Sequence, residues 1–233
     1  ITLKKEECKK MPVLIFIVFI AIIIVGGYFS YLSAKKRREG LFALAAKFGL
    51  QFNPDHDRNI ARGYSFLDKL RSGENRYAFN VLSGRYRDND ILAFDFHYET
   101  HSTDSKRHRE THHHYFSFFI LNMPILFPEL KIGKEGFFSK IGQALGYDDI
   151  DFESHEFSRK FCIRSKNKKF AYDFCNAQMI EYLLANDDLT IEVENHALAM
   201  SFDRRLEPEQ IERNFERLVK IRSLIPNYLF DKV

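Results

Sequence analysis

The sequence has no tryptophan and only three cysteines among its 233 residues. Cys8, Cys162 and Cys175 form neither a C-x-x-C pair nor the dense framework of a small disulfide-rich protein. Such cysteine usage is typical of a protein in a reducing compartment, which suits a cytoplasmic domain. Aromatic residues are plentiful at 15% of the chain, and 24 residues are phenylalanine, so the chain has enough apolar volume for a domain core.

The sequence motifs of several common enzyme classes are also missing. The chain has no G-x-x-x-x-G-K-[ST] loop, no G-x-G-x-x-G, no G-x-S-x-G elbow and no H-E-x-x-H. Acidic residues alternate from Asp149 onward, but an EF-hand loop starting there would have Ser154 in place of the required glycine. It would also have Lys160 in place of the bidentate glutamate. These absences predict a non-enzymatic protein without a calcium loop.

One long run, residues 11–34, contains no charged side chain, and its centre is almost wholly Ile, Val, Leu and Phe. A helix of about 20 residues spans roughly 30 Å, the thickness of the hydrocarbon core of a bilayer. We therefore predict a tail at residues 1–12, a transmembrane helix at residues 13–34 and a basic juxtamembrane helix at residues 35–50. A cleaved signal peptide is the alternative interpretation of the same run.

A cluster of four basic residues follows the apolar run directly; its members are Lys35, Lys36, Arg37 and Arg38. Basic residues beside a span favour the cytoplasmic side and attract anionic lipid headgroups. Four lysines also precede the run, but a translation start at Met11 would leave the downstream cluster to set the orientation. We therefore expect the N-terminus outside and the domain at residues 51–233 in the cytoplasm.

The remaining charge does not favour nucleic acid as a partner. The first 40 residues carry eight basic and three acidic groups, or +5, and the whole chain carries +3. Residues 41–233 therefore have a net charge of 3 − 5 = −2, which lacks the basic footprint of a nucleic-acid-binding protein. The expected partners are the lipid bilayer and other membrane proteins.

Beyond residue 50, the hydrophobic pattern predicts an α+β domain with a curved antiparallel sheet of about seven strands and a C-terminal capping helix. One arrangement that fits is a PH-like barrel. Prolines at positions 124 and 128 are expected to break the third strand, and Asn195-His196 is expected to turn a tight hairpin. The pattern further predicts a helix that is capped by Asp55 or Asp57 and ends near residue 70. It also predicts helices at residues 135–145, 176–186 and 208–225, and strands at residues 76–85, 91–101, 112–123 and 157–165.

Six of the nine histidines lie between residues 97 and 114. On the predicted second strand, His97, Glu99 and His101 share one face, because residues two apart on a strand project to the same side. His112 or His114 from the next strand would complete a set of nitrogen and oxygen ligands for a transition metal such as zinc. Haem ligation is a further alternative, and a solvated polar face without any cofactor is the simplest interpretation.

Several segments together resemble a family of uncharacterised bacterial single-pass membrane proteins with a domain of unknown function. The segments that carry the resemblance are the apolar run with its basic cluster and residues 93–98, 149–154, 157–161, 170–173 and 179–184. The resemblance implies a bacterial source, an N-terminal anchor and one domain. It implies no activity, ligand or catalytic residue.

The function hypothesis that the sequence favours is a membrane-anchored cytoplasmic module that binds a partner, as an accessory subunit of a membrane assembly. One alternative is a metal- or haem-binding protein that uses the histidines from His97 to His114. Another is a domain that binds lipid headgroups, assisted by the basic cluster.

Overall fold

The computed structural model of the protein describes residues 2–103, 109–134 and 150–231. The chain divides into two compact units, Ile1–Gly40 and Leu41–Val233. The described α-helices are α1 (Thr2–Phe48), α2 (Arg58–Gly63), α3 (Asp68–Arg71), α4 (His155–Lys160), α5 (Lys168–Phe174), α6 (Ala177–Leu184) and α7 (Pro208–Leu224). The strands are β1 (Gln51–Asn53), β2 (Glu74–Tyr86), β3 (Asn89–Thr103), β4 (Arg109–Gly133), β5 (Cys162–Arg164) and β6 (Ile191–Ser201).

The first unit is helical and contains the apolar run. Within the described residues, Val18–Phe48 is the one helical segment long and apolar enough to cross a membrane. The side chains of its apolar window are all exposed. The sequence prediction of an N-terminal apolar helix is confirmed, and α1 continues without a break through the predicted boundary at residues 34 and 35.

Gly49 ends α1 in the second unit. Its φ of +66° is in the left-handed region, which glycine adopts without steric cost. The N–H of Leu50 then donates to the carbonyl of Ala45 at 2.9 Å. This arrangement is a C-terminal cap, and it directs the chain from the helix into β1.

Six antiparallel strands form one curved, open sheet. The strand order is β1-β2-β3-β4-β6, and β5 pairs with the C-terminal end of β4. Arg87 and Asp88 connect β2 to β3 with φ values of 46° and 62°, as a two-residue hairpin turn requires. The α+β class is confirmed, whereas the sheet has six described strands rather than seven and does not close into a PH-like barrel across the described residues.

The prolines at positions 124 and 128 do not end the third strand, so that prediction was wrong. β4 runs for 25 residues, and its pairing with β6 shifts register between Asn122 and Phe127 and again between Phe127 and Leu130. Proline cannot donate to a strand ladder, and bulges are where strands tolerate it. Pro124 and Pro128 lie in these two irregular stretches.

The prediction of a tight hairpin at Asn195-His196 was also wrong. β6 is one strand, and Asn195 has a φ of 51° at a position where the pairing with β4 is irregular. Asparagine tolerates the left-handed region better than most residues, so a single bulge replaces the expected turn. This merger removes one of the predicted strands.

Two predicted elements between residues 57 and 165 have a different form. The expected helix at residues 57–70 is two short helices, and α2 is capped by the Asp57 carboxylate at its N-terminus. The expected strand at residues 157–165 begins as α4, because the Ser154 hydroxyl caps the Phe157 N–H, and only Cys162–Arg164 is extended. The predicted helix at residues 135–145 lies outside the described residues.

Both faces of the sheet are covered. On one face α7 packs its buried Phe215 and Leu218, which confirms the predicted C-terminal capping helix. On the other face the short helices place Leu67 and Leu70 against Phe96 and other phenylalanines of β3 and β4. Polar side chains on either face of this sheet are therefore enclosed, except near the ends of its strands.

Candidate functional site

The pairing register of β3 and β4 decides which histidines meet. Glu99 lies opposite His113, so both side chains are on the face that also carries His97. His112 and His114 alternate with His113 and therefore lie on the opposite face. The prediction that His112 or His114 completes the set was wrong, and His113 is the ligand candidate that sequence reasoning missed.

Three of these side chains converge into what we call the histidine cluster: His97, Glu99 and His113. Nε2 of His97 lies 3.0 Å from Nδ1 of His113. Oε1 of Glu99 lies 3.5 Å from that Nδ1 and 3.9 Å from Nε2 of His97. Two imidazole nitrogens and one carboxylate oxygen thus lie within 4.8 Å of one another.

Asn75 holds two members of the cluster, His97 and Glu99, in place. Nδ1 of His97 lies 3.1 Å from the carbonyl oxygen of Asn75. A carbonyl only accepts hydrogen bonds, so Nδ1 carries the proton and Nε2 directs its lone pair into the cluster. The Asn75 side-chain amide donates to Oε1 of Glu99 at 2.7 Å. Asn75 reaches both groups from a bulge in β2, where its φ is 46°.

The turn before this bulge packs closely on β3. Gly73 has a φ of 67°, and a Cβ atom there would lie 2.4 Å from the carbonyl oxygen of Glu99 and from the ring of Tyr98. Neither distance is possible for a real side chain, so this position requires glycine both for its conformation and for its contact. Gly73 therefore fixes how the Asn75 bulge approaches the cluster.

Burial sets the charge state of the cluster. The side chain of His97 is almost fully enclosed, and burial lowers its pKa despite the opposing effects of Asn75 and Glu99. The hydrogen bond from Asn75 lowers the pKa of Glu99, which stays ionised at neutral pH. The interpretation of this strand face as solvated was wrong at His97, although His113 remains about half exposed.

Aromatic rings enclose His97 on the protein side. Its ring stacks on Tyr77 at a centroid distance of 4.5 Å and lies 4.7 Å from Tyr115. His56 stacks in turn on the far side of Tyr77 at 4.0 Å. Because these rings come from neighbouring strands and from the segment before α2, they restrict the rotation of His97 and shield it from water.

The other predicted histidines have partners of their own. Nε2 of His101 lies 3.4 Å from the Glu74 carboxylate, beyond the cluster toward the end of the hairpin. His112 and His114 each form a hydrogen bond of 2.8 Å with a hydroxyl group on β3. The structure therefore brings together His97 and Glu99 from the predicted set and leaves the remaining three outside.

A second polar group, which we call the acidic cluster, lies on the opposite face of the sheet; its members are Asp68, Glu129, Lys131, Glu192 and Glu194. The ammonium group of Lys131 contacts the Asp68 carboxylate and lies 2.6 Å from Oε1 of Glu129. Glu192 accepts the Asp68 N–H at 3.0 Å. Burial, with the nearby charge of Asp68, raises the pKa of Glu192 to about 8. In the sequence, the only signal of the acidic cluster is Lys131, which lies between two apolar residues of β4.

The predicted membrane-surface residues lie within α1. Lys35, Lys36 and Arg38 are exposed there, as is Glu39, whose carboxylate is 3.9 Å from the Lys35 ammonium group. Arg37 occupies the same turn of the helix. The four basic residues thus form a continuous segment of α1 that directly follows its apolar part.

Comparison with known proteins gives information on the fold. No protein-family model matches the chain, and no curated protein matches it either. Among solved structures, the crystal structure of the mycobacterial trehalose monomycolate transport factor A, TtfA, is similar with a TM-score of 0.60 at 10% identity. The similarity covers 83% of this chain and 96% of TtfA. It supports the α+β fold, and the resemblance to an uncharacterised bacterial family stays a prediction.

Proposed function

We propose that this protein is a non-enzymatic accessory module of a bacterial inner-membrane assembly. In this proposal α1 spans the bilayer with the N-terminus outside, and the α+β domain lies in the cytoplasm and binds another membrane protein. The lipid-headgroup hypothesis from the sequence stays a prediction that liposome binding can test.

The observation that carries the proposal is the exposed apolar surface of α1. The side chains of Phe19, Ile22 and Phe29 are each exposed by 59% or more, and they belong to a window in which nothing is buried. Apolar surface of this length is unstable in water but matches the hydrocarbon core of a bilayer. A bilayer is therefore the environment that suits this helix.

The orientation rests on the basic residues after the apolar part. Lys35, Lys36, Arg37 and Arg38 lie on the domain side of the span, where positive charge resists translocation. Cys162 and Cys175 of the domain are buried and are not in disulfide bonds, which suits a reducing compartment. Both features favour a cytoplasmic domain.

The accessory role is supported by the fold. TtfA is by name a transport factor, and nearly its whole length shares this architecture. Such a fold on a single anchor is well suited to holding a binding surface near a larger membrane protein. Substrate and partner identity do not transfer at 10% identity.

Reporter fusions test the topology. A reporter that is active only in the cytoplasm and one that is active only in the periplasm are each fused after residue 233 of the full chain. We expect activity from the cytoplasmic reporter alone, and neutralising residues 35–38 with glutamine should shift part of the population to the opposite orientation. Activity of the periplasmic reporter alone in the wild type would contradict the proposed location.

Purification in mild detergent tests the accessory role. The full chain and a variant whose residues 13–34 are replaced by an unrelated transmembrane helix are isolated from the same membranes after chemical cross-linking. We expect a specific membrane protein to be cross-linked to both, because the proposal assigns the contact to the domain. A strictly monomeric protein in several detergents would argue against an accessory role.

A further inference from the structure

We propose that the histidine cluster binds one divalent transition-metal ion, with zinc as the best match, through Nε2 of His97, Nδ1 of His113 and Oε1 of Glu99. Two imidazole nitrogens with one carboxylate oxygen form a donor set that suits zinc and its neighbours in the first transition row. Calcium and magnesium prefer sites made wholly of oxygen.

The distances between the donor atoms fit a single small ion. Zinc–nitrogen and zinc–oxygen bonds are about 2.0–2.2 Å long, so two ligands of a tetrahedral ion lie about 3.4 Å apart. The three separations in the cluster are 3.0, 3.5 and 3.9 Å. Adjustments of a few tenths of an ångström therefore place all three atoms on one ion, and a solvent molecule can be the fourth ligand beside the half-exposed His113.

The same distances argue against haem. Two histidines that ligate a haem iron lie on opposite sides of it, which places their nitrogens about 4 Å apart with the porphyrin between them. The nitrogens of His97 and His113 are 3.0 Å apart and share one side of the site with Glu99. The geometry therefore favours a metal ion without a porphyrin.

The hydrogen bonds behind the ligands are those of a metal site. A ligating histidine usually donates its second N–H to a carbonyl or carboxylate, which fixes the tautomer and the ring orientation. His97 makes this bond to the Asn75 carbonyl, and the Asn75 amide orients Glu99. Asn75 is thus a positioning residue for two of the three ligands, and mutation of such residues typically weakens metal binding 10- to 100-fold.

The charge of the cluster also suits a cation. The described charged contacts of Glu99 are with histidines, and the hydrogen bond that it accepts comes from a neutral amide. No described lysine or arginine forms an ion pair with Glu99, so its charge is balanced only weakly within the protein. A divalent ion would balance it by binding the Nε2 lone pair of His97 and the Nδ1 lone pair of His113, which becomes available when the His113 proton moves from Nδ1 to Nε2.

Zinc titration of the full chain in detergent tests this proposal. The protein is first stripped with EDTA and then titrated with Zn²⁺ against a chromogenic chelator, and Co²⁺ is added to a second sample. We expect one tight equivalent of zinc and the intense visible absorption of tetrahedral Co²⁺. Glu99→Gln and His113→Ala should each weaken zinc binding by at least 10-fold, because each removes one of three protein ligands.

The alternating faces of β4 supply matched controls. His112→Ala and His114→Ala remove histidines from the same strand without touching the cluster, so their zinc affinity should stay within about twofold of the wild type. His113 and Glu99 are partly exposed, so their variants should fold, and circular dichroism checks this. Less than about 0.2 equivalents of bound zinc in the wild type would overturn the proposal. Equal losses in the His112 and His113 variants would also overturn it.

Discussion

Two polar clusters lie on opposite faces of one sheet, and they differ in how their negative charge is balanced. The histidine cluster and the acidic cluster each contain three potential ligand atoms within 4.8 Å of one another. In the acidic cluster the ammonium group of Lys131 already lies among the carboxylates. In the histidine cluster Glu99 has only histidines as described charged contacts. Closely spaced ligands thus indicate a metal site only where the protein supplies no cation of its own.

The protonation states follow the same contrast. Burial lowers the pKa of Lys131, but the hydrogen bonds that its ammonium group donates to Asp68 and Glu129 outweigh this effect and raise the pKa above its ordinary value. Lys131 therefore stays charged inside the protein. Glu192 lies beside it and has a raised pKa of about 8, so this carboxyl is largely protonated at neutral pH. One lysine and one proton thus balance two of the four carboxyl groups of the acidic cluster, which is a structural arrangement that stabilises α3 on the sheet.

The largest effect is expected from removing the internal cation. Lys131→Met removes the ammonium group that contacts both the Asp68 and the Glu129 carboxylate, and breaking a buried ion pair in this way costs about 3–5 kcal/mol of unfolding free energy. Urea unfolding of the full chain in detergent measures the loss. Lys134→Met is the control, because Lys134 forms an exposed pair with Asp187 at 3.6 Å and should change stability by less than about 0.5 kcal/mol. Equal stability of both variants would show that Lys131 does not hold the acidic cluster together.

A smaller effect is expected from the turn behind the histidine cluster. Gly73→Ala forces a Cβ atom toward the Glu99 carbonyl and imposes an unfavourable φ, so stability should fall by about 2–3 kcal/mol and zinc affinity by at least 10-fold. Gly63→Ala is the control, since its Cβ would meet no atom within 4 Å. Thermal unfolding and the zinc titration measure both consequences. Unchanged zinc affinity in Gly73→Ala would separate this turn from the cluster.

The effect that is smallest per step of the measurement, one pH unit, is a change in the pH dependence of stability. The folded protein binds the Glu192 proton more tightly than the unfolded chain, so this group contributes stability that is fully present below about pH 4.5. That stability is lost as pH rises through about 8. Glu192→Gln keeps an acceptor for the Asp68 N–H without the ionisation, and it should reduce the decline by about 1 kcal/mol per pH unit in this window. Urea unfolding at pH 5, 6, 7 and 8 checks this, and identical pH profiles would contradict the protonated state of Glu192.

The sequence predicted much of the fold because several of its signals are local. The uncharged run, the alternation along β3, the glycine cap of α1 and the proline at the start of α7 each specify their own element. The sequence misled where polar residues or prolines lie inside long strands, as at Asn195 and Pro124. At those positions the pairing with a neighbouring strand outweighs the local preference.

Only part of the histidine cluster could be predicted from the sequence, and the reason is physical. Alternation places His97 and Glu99 on one face of β3, but a register shift of one residue would exchange His113 for His112 or His114. A short turn fixes the register of a hairpin, as Arg87 and Asp88 do for β2 and β3. In the sequence, the ten polar residues 102–111 separate the predicted strands at residues 91–101 and 112–123, so the sequence contains no such signal. The burial of His97 depends on aromatic rings from other strands, so it could not be predicted from the sequence either.

Anomalous X-ray scattering from crystals of the zinc-treated protein tests the central contrast most directly, because it locates bound zinc at both clusters in one experiment. We predict one strong zinc peak about 2.0–2.2 Å from Nε2 of His97, Nδ1 of His113 and Oε1 of Glu99, and no peak among the carboxylates around Lys131. A peak at the acidic cluster with none at the histidine cluster, or a peak at His112 or His114 instead, would contradict the account.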